Sequence, residues 1–507
     1  METKILKKML LLFFSIGLIS FLSILPVTSF AQSQIGGDID GEDEGDYSGY
    51  SVSMPNNTIV AIGARNNDGG GAKRGHVRVY EYENSSWGIM GNANDIDGRV
   101  DYEYSGYSVS MPCDTIVAIG SPYHGAGGTE RGLIRIYSFN GSQWEQIGDS
   151  IVGDANYDHF GFCVSMPDEY TVAIGAPYYG DDRGHVKVYR REVNAQEIVW
   201  TQRGSDIIGA GDYDEAGFSI SMPDDETIAI GSPADESDQG HIRVFEWDGD
   251  SWERKGDPIA GEATGDKFGW SVSMPDANTV AIGAPYNSGT SKGHVRVYYW
   301  YNNAWSQKGS DIDGEANSDQ SGWSVSMPDA GTVAIGAIYN DGGGGNNGHV
   351  RVYEWTNGLP PAWVQVGNDI DGEDYGDRSG WSVSMPDNET VGIGAPWNDG
   401  GGTDAGHVRI WDLSGAKSKI TYISGEGIDA NYNIYPNPTD GNIMIEFDNS
   451  QENVSIELYS IIGELLETKQ IYEANQVEFK IIGEPGVYLL RISDQNGQSS
   501  NIRIIKN

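Results

Sequence analysis

The sequence of 507 residues contains only two cysteines, Cys113 and Cys163. They belong to neighbouring repeats of a pattern that includes a five-residue strand. Cys163 falls at the beginning of that strand in its repeat and Cys113 at the end of it in the other, and such a strand spans about 16 Å. A disulfide joins residues whose Cα atoms lie within about 7 Å of each other. We therefore expect no disulfide, and the fold must be held together by burial of apolar side chains.

Positive charge is also scarce. The chain has 32 Lys and Arg residues against 74 Asp and Glu residues, which gives a formal net charge of −42. Nucleic acids and anionic membrane surfaces are bound through clusters of Lys and Arg. The sequence therefore predicts no nucleic-acid partner, and its acidity suits solubility in a salty or cation-rich exterior.

Several catalytic signatures are missing. The sequence has no His-Glu-x-x-His motif, no phosphate-binding loop and no sialidase-type Ser-x-Asp-x-Gly-x-x-Trp box. These absences argue against zinc proteases, nucleotide hydrolases and sialidases. Nothing singles out a carboxylate pair for glycoside cleavage among the many acids. We predict no catalytic residues and no cofactor, with calcium as the one candidate ion.

The long apolar run of the sequence lies near its beginning, from Met9 to Leu25, and follows three lysines. Small residues at Ser29 and Ala31 match the positions that signal peptidase reads, so residues 1–31 are predicted to be a secretory signal peptide. The alternative is a membrane anchor, but the run is shorter than the ~20 residues that a spanning helix needs. We expect no membrane span in the mature chain.

One motif dominates the rest of the sequence. Glycine, an aromatic residue and the letters Ser-Val-Ser-Met-Pro recur seven times with small variations. Each copy begins a unit of about 55 residues that reads as four short strands with alternating large and small side chains. The motif methionines are Met54, Met111, Met166, Met222, Met274, Met327 and Met385.

Repeated four-stranded units are typical of a β-propeller. The seventh unit ends at Trp411 without a fourth strand, while Gln34–Gly41 matches the fourth strand of the sixth unit, Gln365–Gly372. We therefore predict an all-β fold in which residues 32–413 form a seven-bladed β-propeller, with its ring closed by the N-terminal strand. Ring closure removes a free edge that would invite aggregation.

These units resemble the FG-GAP repeats of integrin α-subunit propellers. Phe160-Gly161 and Phe268-Gly269 match the first half of that motif, and Gly283-Ala284-Pro285 matches the second. In that family a calcium loop lies between the two halves. Here only a tight turn such as Pro275–Asn278 stands there, so the metal ligands of the family are not carried over.

The repeat pattern stops after Leu413, and residues 414–430 read as a linker. Residues 431–507 alternate like a small β-sandwich. Their order of motifs, with a central Leu458-Tyr459 and Gly463, resembles the type A sorting domain of the type IX secretion system. The sorting motif is Tyr435, Pro436, Asn437, Pro438 and Gly441.

That resemblance implies a Gram-negative bacterium, the type IX machinery as partner, and a mature protein that is secreted or held at the outer cell surface. The alternative is an ordinary adhesion sandwich.

An acidic residue lies three positions before the glycine that opens each first strand. We consider these residues candidates for ligand binding on one face of the propeller, with a solvated acidic rim as the alternative. They are Asp46, Glu103, Asp158, Asp214, Asp266, Asp319 and Asp377.

Aromatic residues in the loops between the second and third strands could stack on sugar rings, with packing at the rim as the alternative. The candidates are Tyr123, Tyr286 and Trp397, together with Tyr178, Tyr179 and Tyr339.

Six of the eight histidines follow the glycine that opens the third strand. Loops that precede strands one and three lie on the same side of an up-and-down sheet, so these histidines should share a face with the acids. A hydrogen bond to a neighbouring loop is their simplest role. They are His76, His185, His241, His294, His349 and His407.

Two acidic loops are candidate calcium sites, because alternating oxygen ligands beside a turning glycine suit that ion. Neither loop has the full calcium-loop spacing. The candidate ligands are Asp311, Asp313, Glu315, Asp369, Asp371 and Glu373.

We predict a monomeric binding or adhesion protein that recognises an extracellular glycan or protein. The alternative is an extracellular polysaccharide-degrading enzyme, a glycosidase or lyase, on the same scaffold.

Overall fold

The computed structural model describes most of the chain after residue 31. The predicted signal peptide, residues 1–31, and residues 417–430 of the predicted linker lie outside the described residues. No helix within the described ranges is long and apolar enough to cross a membrane. Those ranges are 32–91, 95–194, 197–234, 238–342, 345–356, 362–416, 432–435, 439, 441–460, 465–481, 486–493 and 499–506.

The all-β prediction is confirmed: seven antiparallel sheets, numbered here by repeat, follow one another along the chain. Two short N-terminal strands come first, β1 (Ser33–Gln34) and β2 (Ile39–Asp40). Sheet 1 contains β3 (Ser48–Asn56), β4 (Ile59–Ala64), β5 (His76–Glu83), β6 (Ser86–Ile89) and β7 (Ile96–Asp97). Sheet 2 contains β8 (Ser108–Cys113), β9 (Ile116–Ser121), β10 (Leu133–Phe139), β11 (Trp144–Gln146) and β12 (Ile151–Val152). Sheet 3 contains β13 (Cys163–Asp168), β14 (Thr171–Ala176), β15 (His185–Asn194), β16 (Glu197–Gln202) and β17 (Ile207–Ile208).

The remaining repeats follow the same plan. Sheet 4 contains β18 (Ser219–Asp224), β19 (Thr227–Ser232), β20 (His241–Trp247), β21 (Trp252–Arg254) and β22 (Ile259–Ala260). Sheet 5 contains β23 (Ser271–Asp276), β24 (Thr279–Ala284), β25 (His294–Tyr301), β26 (Ala304–Gln307) and β27 (Ile312–Asp313). Sheet 6 contains β28 (Ser321–Asp329), β29 (Thr332–Ala337), β30 (His349–Thr356) and β31 (Ala362–Asp371). Sheet 7 contains β32 (Ser382–Asp387), β33 (Thr390–Ala395) and β34 (His407–Asp412), and β1 and β2 pair with β34.

Within the described residues the helical turns are short, a four-residue turn α1 (Tyr179–Asp182) and a 3₁₀ turn at Asn287–Gly289. Cys113 and Cys163 are free.

The second strand of each sheet is buried along its whole length, because neighbouring sheets cover both of its faces. Its glycine is required by this close approach. A Cβ atom on Gly283 would lie 2.1 Å from the carbonyl oxygen of Gly322 in the next sheet. The Gly-Ala-Pro half of the repeat motif therefore encodes sheet-to-sheet packing.

Hydrogen bonds from the first strands link the sheets in sequence. In the last of these links, Ser382 Oγ of sheet 7 donates to the Gly49 oxygen of sheet 1 at 2.8 Å, and Met54 N donates to Ser384 Oγ at 3.0 Å. The contacts thus run from the seventh sheet back to the first. Equivalent serine-to-glycine bonds start from Ser51, Ser108, Ser219, Ser271 and Ser324.

The N-terminal segment occupies the fourth-strand position of sheet 7. Ile35 N donates to the Ile410 oxygen at 2.7 Å, and Gly41 N donates to the Gly406 oxygen at 2.7 Å. From sheet 1, Trp87 Nε1 donates to the Ile35 oxygen at 2.8 Å. The segment is therefore held by sheets on both sides.

The C-terminal strands form one hydrogen-bonded sheet of five. The two halves of the long strand β36 contribute to one buried cluster that includes Ile443 and Ile456, as expected for a sheet that bends across a shared core. Of the predicted sorting motif, Pro436, Asn437 and Pro438 lie outside the described residues, while Gly441 N donates to Thr439 Oγ1 at 3.0 Å. The strands are β35 (Tyr432–Tyr435), β36 (Asn442–Ser460), β37 (Leu465–Lys480), β38 (Gly486–Ser493) and β39 (Ser499–Lys506).

Candidate functional site

The seven recurring acids lie in the turns that lead into the first strands. All are buried, with exposed fractions of 0 to 4%. Their carboxylates accept backbone N–H groups from residues three or four positions earlier, as in the 2.9 Å bond from Ala263 N to Asp266 Oδ2. Such a bond closes a tight turn. Equivalent bonds are made by Asp46, Glu103, Asp158, Asp214, Asp319 and Asp377.

Side chains from the adjoining loops complete these turns. Asn67, Asn340 and Asn398 donate to the acids of sheets 1, 6 and 7 at 2.9 to 3.2 Å. Burial is the largest cause that raises the pKa of Asp46 and Asp158. A ligand would reach these carboxylates only after the turns had opened, so their geometry points to a structural role.

Each buried acid is followed by a residue in the left-handed backbone region that is not glycine, with φ between 52° and 58°. This conformation is costly for residues with side chains. It turns the chain sharply into the first strand and presents a tyrosine in sheets 1 and 2 and a different residue in each of the other five sheets. The seven residues are Tyr47, Tyr104, His159, Glu215, Lys267, Gln320 and Arg378.

A closed ring of seven aromatic side chains stands at the beginning of the first strands. Neighbouring ring centroids are 4.6 to 5.3 Å apart, and their planes are tilted by 44° to 53°. These are favourable geometries for aromatic pairs. This inner ring consists of Tyr50, Tyr107, Phe162, Phe218, Trp270, Trp323 and Trp381.

The inner ring is the feature that sequence reasoning missed. Its signal was present, since an aromatic residue follows the motif glycine in every repeat. What the sequence did not reveal is that the seven side chains meet.

The predicted aromatic residues surround this inner ring. Tyr123 lies 5.1 Å from Tyr104 and 4.7 Å from His159, measured between ring centroids. Trp397 lies 4.6 Å from Trp381, and the Arg378 guanidinium is 4.2 Å from its ring centroid. We call the inner ring and these surrounding residues the aromatic face.

The other predicted aromatic residues divide into two groups. Tyr178 lies 5.0 Å from His159, and Tyr286 lies 5.7 Å from Trp270, so both border the aromatic face. Tyr339 lies 5.2 Å from the Arg378 guanidinium. Tyr179 instead stacks on His185 at 4.1 Å, away from the others.

The aromatic face is asymmetric. The Arg65 guanidinium lies 4.0 Å from the centroid of Tyr50, where it makes a cation–π contact. In sheet 4 the position of the surrounding tyrosine is taken by Ala234. Burial raises the pKa of the nearby Glu215 to about 7, against the opposing effect of Lys267. A basic group and a titratable acid thus stand in different sectors of a largely apolar surface.

The strand-three histidines take part in a second recurring arrangement. His294 Nδ1 lies 3.7 Å from Asp311, and Arg296 donates to both oxygens of Asp311 at 3.0 and 3.1 Å. Glu262, from the preceding loop, pairs with the same arginine. The acids that face the histidines are therefore not the turn acids described above.

Burial keeps these histidines neutral. It is the largest cause that lowers the pKa of His76, His185, His349 and His407 to about 4, and it also lowers that of His294. In the part of the chain that the structure describes, five groups of one histidine and two carboxylates have their ligand atoms within 4.8 Å of one another. Neutral imidazole and carboxylate are both metal ligands, so these groups are the places where an ion could be held.

The residues of each predicted calcium loop are divided between neighbouring sheets. Asp311 binds Arg296 of sheet 5, whereas Glu315 lies 3.6 Å from Arg351 of sheet 6. The Asp313 side chain is exposed, and its backbone oxygen accepts from Arg351 Nη2 at 2.7 Å. The carboxylates of one loop therefore group with residues of two different sheets instead of with one another.

The second loop is divided in the same way. Asp369 and Asp371 lie 3.6 and 3.9 Å from His349 Nδ1 of sheet 6. Glu373 lies 3.4 Å from Arg409 of sheet 7. Because the loop crosses from one sheet to the next, its acids serve both.

The letters of an esterase motif, Gly-x-Ser-x-Gly, do occur once, at Gly289–Gly293. Ser291 lies in the loop between β24 and β25, and not in the strand-to-helix turn that exposes a nucleophile. The motif therefore does not identify an esterase.

Comparisons with known proteins give one match within the seven repeated sheets and one in the C-terminal sheet. Residues 260–298 match the model of the FG-GAP repeat. Residues 433–507 match the model described as the secretion system C-terminal sorting domain. No curated protein matches the chain.

Among solved structures, the chain is similar to a novel fungal alcohol oxidase with catalytic diversity among the AA5 family, in complex with copper. The two are 11% identical with a TM-score of 0.44, over 93% of this chain and all of the oxidase chain. A likeness of this size does not bear on activity.

The chain thus carries an FG-GAP repeat and ends in a type IX sorting domain, which indicates a secreted or cell-surface protein of Bacteroidetes-type Gram-negative bacteria.

Proposed function

We propose that residues 32–413 form a closed seven-bladed β-propeller whose aromatic face binds an extracellular glycan after export by the type IX machinery. The aromatic inner ring is the observation that carries this proposal. Support for the closed ring comes from the hydrogen bonds between sheets 7 and 1 and from the N-terminal strands paired with β34.

A glycan suits the chemistry of the aromatic face. Sugar rings offer apolar C–H faces and a rim of hydroxyl groups, so they pair with aromatic surfaces that also carry polar groups. Tyr and Trp supply the apolar area, while Arg65, Lys267 and Gln320 offer hydrogen bonds to hydroxyls. The variety of residues after each turn acid gives a seven-fold frame an asymmetric, selective surface.

The proposal is tested with the mature chain on a panel of immobilised polysaccharides. We expect Trp397→Ala and Tyr286→Ala each to weaken retention about tenfold, which corresponds to about 1.4 kcal/mol. Tyr301→Ala is the matched control, because Tyr301 is 59% exposed at the far turn of sheet 5 and should leave retention unchanged. Equal effects of all three substitutions would contradict glycan binding at the aromatic face. If the protein is retained on an immobilised protein but on no polysaccharide, the ligand of the aromatic face is a protein and not a glycan.

Glu215 favours one second candidate, the polysaccharide-degrading enzyme. A half-buried carboxyl whose pKa is raised to about 7 is suited to general acid catalysis. Release of reducing ends by the wild-type protein, lost in Glu215→Gln with retention preserved, would establish that activity. Retention without turnover supports the binding role.

A further inference from the structure

His407 opens β34 and is 1% exposed. Neither of its ring nitrogens has a hydrogen-bond partner. A buried polar atom without a partner is costly and calls for an explanation. Because burial holds its pKa at about 4, the ring is neutral at pH 7 and has a free lone pair to offer.

Two carboxylates from the N-terminal segment face this ring. Asp40 lies opposite His407 in the β2–β34 pair, and Asp38 comes two residues earlier. One ligand atom from each of the three residues lies within 4.8 Å of the others. Partial desolvation and then the charge of Asp38 raise the pKa of Asp40, as expected for two carboxylates held close together.

The equivalent groups in other sheets contain their own cation. In sheet 1, Arg78 binds Asp95 at 2.6 and 2.9 Å. In sheet 3, Lys187 Nζ lies 2.6 Å from Asp154 and 3.6 Å from Asp206. Sheet 5 repeats the arrangement of sheet 1, and in sheet 6 an arginine accompanies the glutamate of the group.

In sheet 7 the arginine pairs with an acid outside this group, Glu373, whose carboxylate also lies 3.9 Å from His407 Nδ1. Arg409 lies 3.4 Å from Glu373 and donates to the Asp371 backbone oxygen at 2.5 Å. Among the residues that the structure describes, no Lys or Arg lies within 4.0 Å of the carboxylates of Asp38 or Asp40. The group of sheet 7 therefore presents two acids and a buried imidazole without a hydrogen bond, with no cation of the chain between them. Sheet 6 is similar in that Asp369 and Asp371 face His349, but its group includes Glu315, which Arg351 accompanies.

We propose that Asp38, Asp40 and His407 bind a divalent transition-metal ion, Zn²⁺ being the type case, that joins the N-terminal segment to sheet 7. Two oxygens and one imidazole nitrogen, with water in the fourth position, match the ligand set of zinc. Calcium prefers six to eight oxygen ligands and is disfavoured here. The ion satisfies the buried imidazole and relieves the repulsion between the carboxylates.

The surroundings suit a metal site. Asp38 and Asp40 are exposed, so an ion can enter from solvent. Gln34 Nε2 donates to Asp38 Oδ1 at 2.6 Å and fixes the orientation of that carboxylate. The ligands come together only when the N-terminal segment is paired with β34, so the ion stabilises the folded chain and not the unfolded one.

The test uses the mature protein, treated with chelator and then dialysed. Titration calorimetry with ZnCl₂ should show one strong site per chain, and the melting temperature should rise by a few degrees with Zn²⁺ but not with Ca²⁺. His407→Leu and Asp38→Asn should each weaken that site at least tenfold. The leucine is tolerated at the equivalent position of sheet 2, where Leu133 stands.

The matched control is His294→Leu, in which Arg296 already neutralises the facing acid. It should keep the strong site unchanged. The proposal is overturned by the absence of a strong site, by its survival in both sheet 7 variants, or by equal loss in the control. If His407→Leu fails to fold, Asp40→Asn and the Co²⁺-loaded protein decide the question. Asp40→Asn must weaken the site at least tenfold, and the bound Co²⁺ must give the intense visible absorption of a four-coordinate ion, whereas a weak six-coordinate spectrum would overturn the proposal.

Discussion

Sheets 5 and 4 have the same arrangement of strands, but the buried arginine of their third strand has different partners. In sheet 5, Arg296 is paired with Asp311 and Glu262. In sheet 4, Arg243 stands at the same position, but Ala210 and Pro258 replace the two acids. Arg243 donates to the Ile208 oxygen at 2.9 Å, and its Nε has no partner.

In sheet 2 the buried arginine has a carboxylate partner from a different part of the sheet. Ser150 and Arg99 replace the two acids, and Leu133 replaces the histidine. Arg135 instead pairs at 2.6 Å with Glu103, the turn acid that is Asp in the other six sheets. The longer side chain reaches the arginine. The repeat motif thus determines the backbone of every sheet, whereas the partner of the buried arginine differs from sheet to sheet.

The largest effect should come from removing the arginine of sheet 5. Arg296→Met leaves two carboxylates without their cation, and breaking such a pair costs about 3 kcal/mol. Arg243→Met in sheet 4 removes a buried charge that has no carboxylate partner, so its free energy of unfolding should change by less than about 1 kcal/mol or rise. Urea denaturation of both variants measures the difference, and equal losses would show that the two arginines are alike.

A pH-dependent effect of intermediate size separates sheets with a buried histidine from sheet 2. The pKa of His349 is lowered to about 4 in the fold, against about 6.5 in the unfolded chain. Its contribution to stability is therefore complete above pH 6.5 and is lost as the pH falls from 6.5 to 4.

The measurement is the difference in unfolding free energy between wild type and His349→Leu. Relative to the variant, the wild type should lose about 2 kcal/mol between pH 6.5 and pH 5, at about 1.4 kcal/mol per pH unit. A difference that does not change with pH would mean that the histidine has the same pKa in the folded and the unfolded chain.

The smallest effect should come from giving sheet 4 an acid. Ala210→Glu places a carboxylate at the position that Glu262 has in sheet 5, and Arg243 can then pair with it. Because Ala210 is exposed, we expect a gain of about 0.5 kcal/mol in unfolding free energy. The same substitution combined with Arg243→Met is the control, since its gain should vanish.

How much the sequence could predict depends on whether a feature is local. The strands, the tight turns and the pairing of the N-terminal segment with β34 follow from alternation and the repeat register. The inward turn of Asp266 is different, because it requires the left-handed backbone at Lys267, which no letter pattern encodes. A surface role was the natural expectation for an acid beside glycine.

The candidate site was predicted only in part for the same reason. Tyr123, Tyr286 and Trp397 were identified as aromatic loop residues, but their common location with the inner ring depends on contacts between distant repeats. The acids of Asp311–Glu315 looked like one loop site. They serve two sheets because that loop is the crossing between them.

The pairing of β1 and β2 with β34 also sets an order of events. These strands are synthesised first, yet their partner is made only after six complete sheets. Ile39 cannot be buried against β34 before that strand exists. The pairing of β2 with β34 joins residues far apart in the sequence, so it should be a slow step of folding. The entropic cost of closing so long a loop grows only with the logarithm of its length. The chain can therefore make this contact last at little cost in final stability.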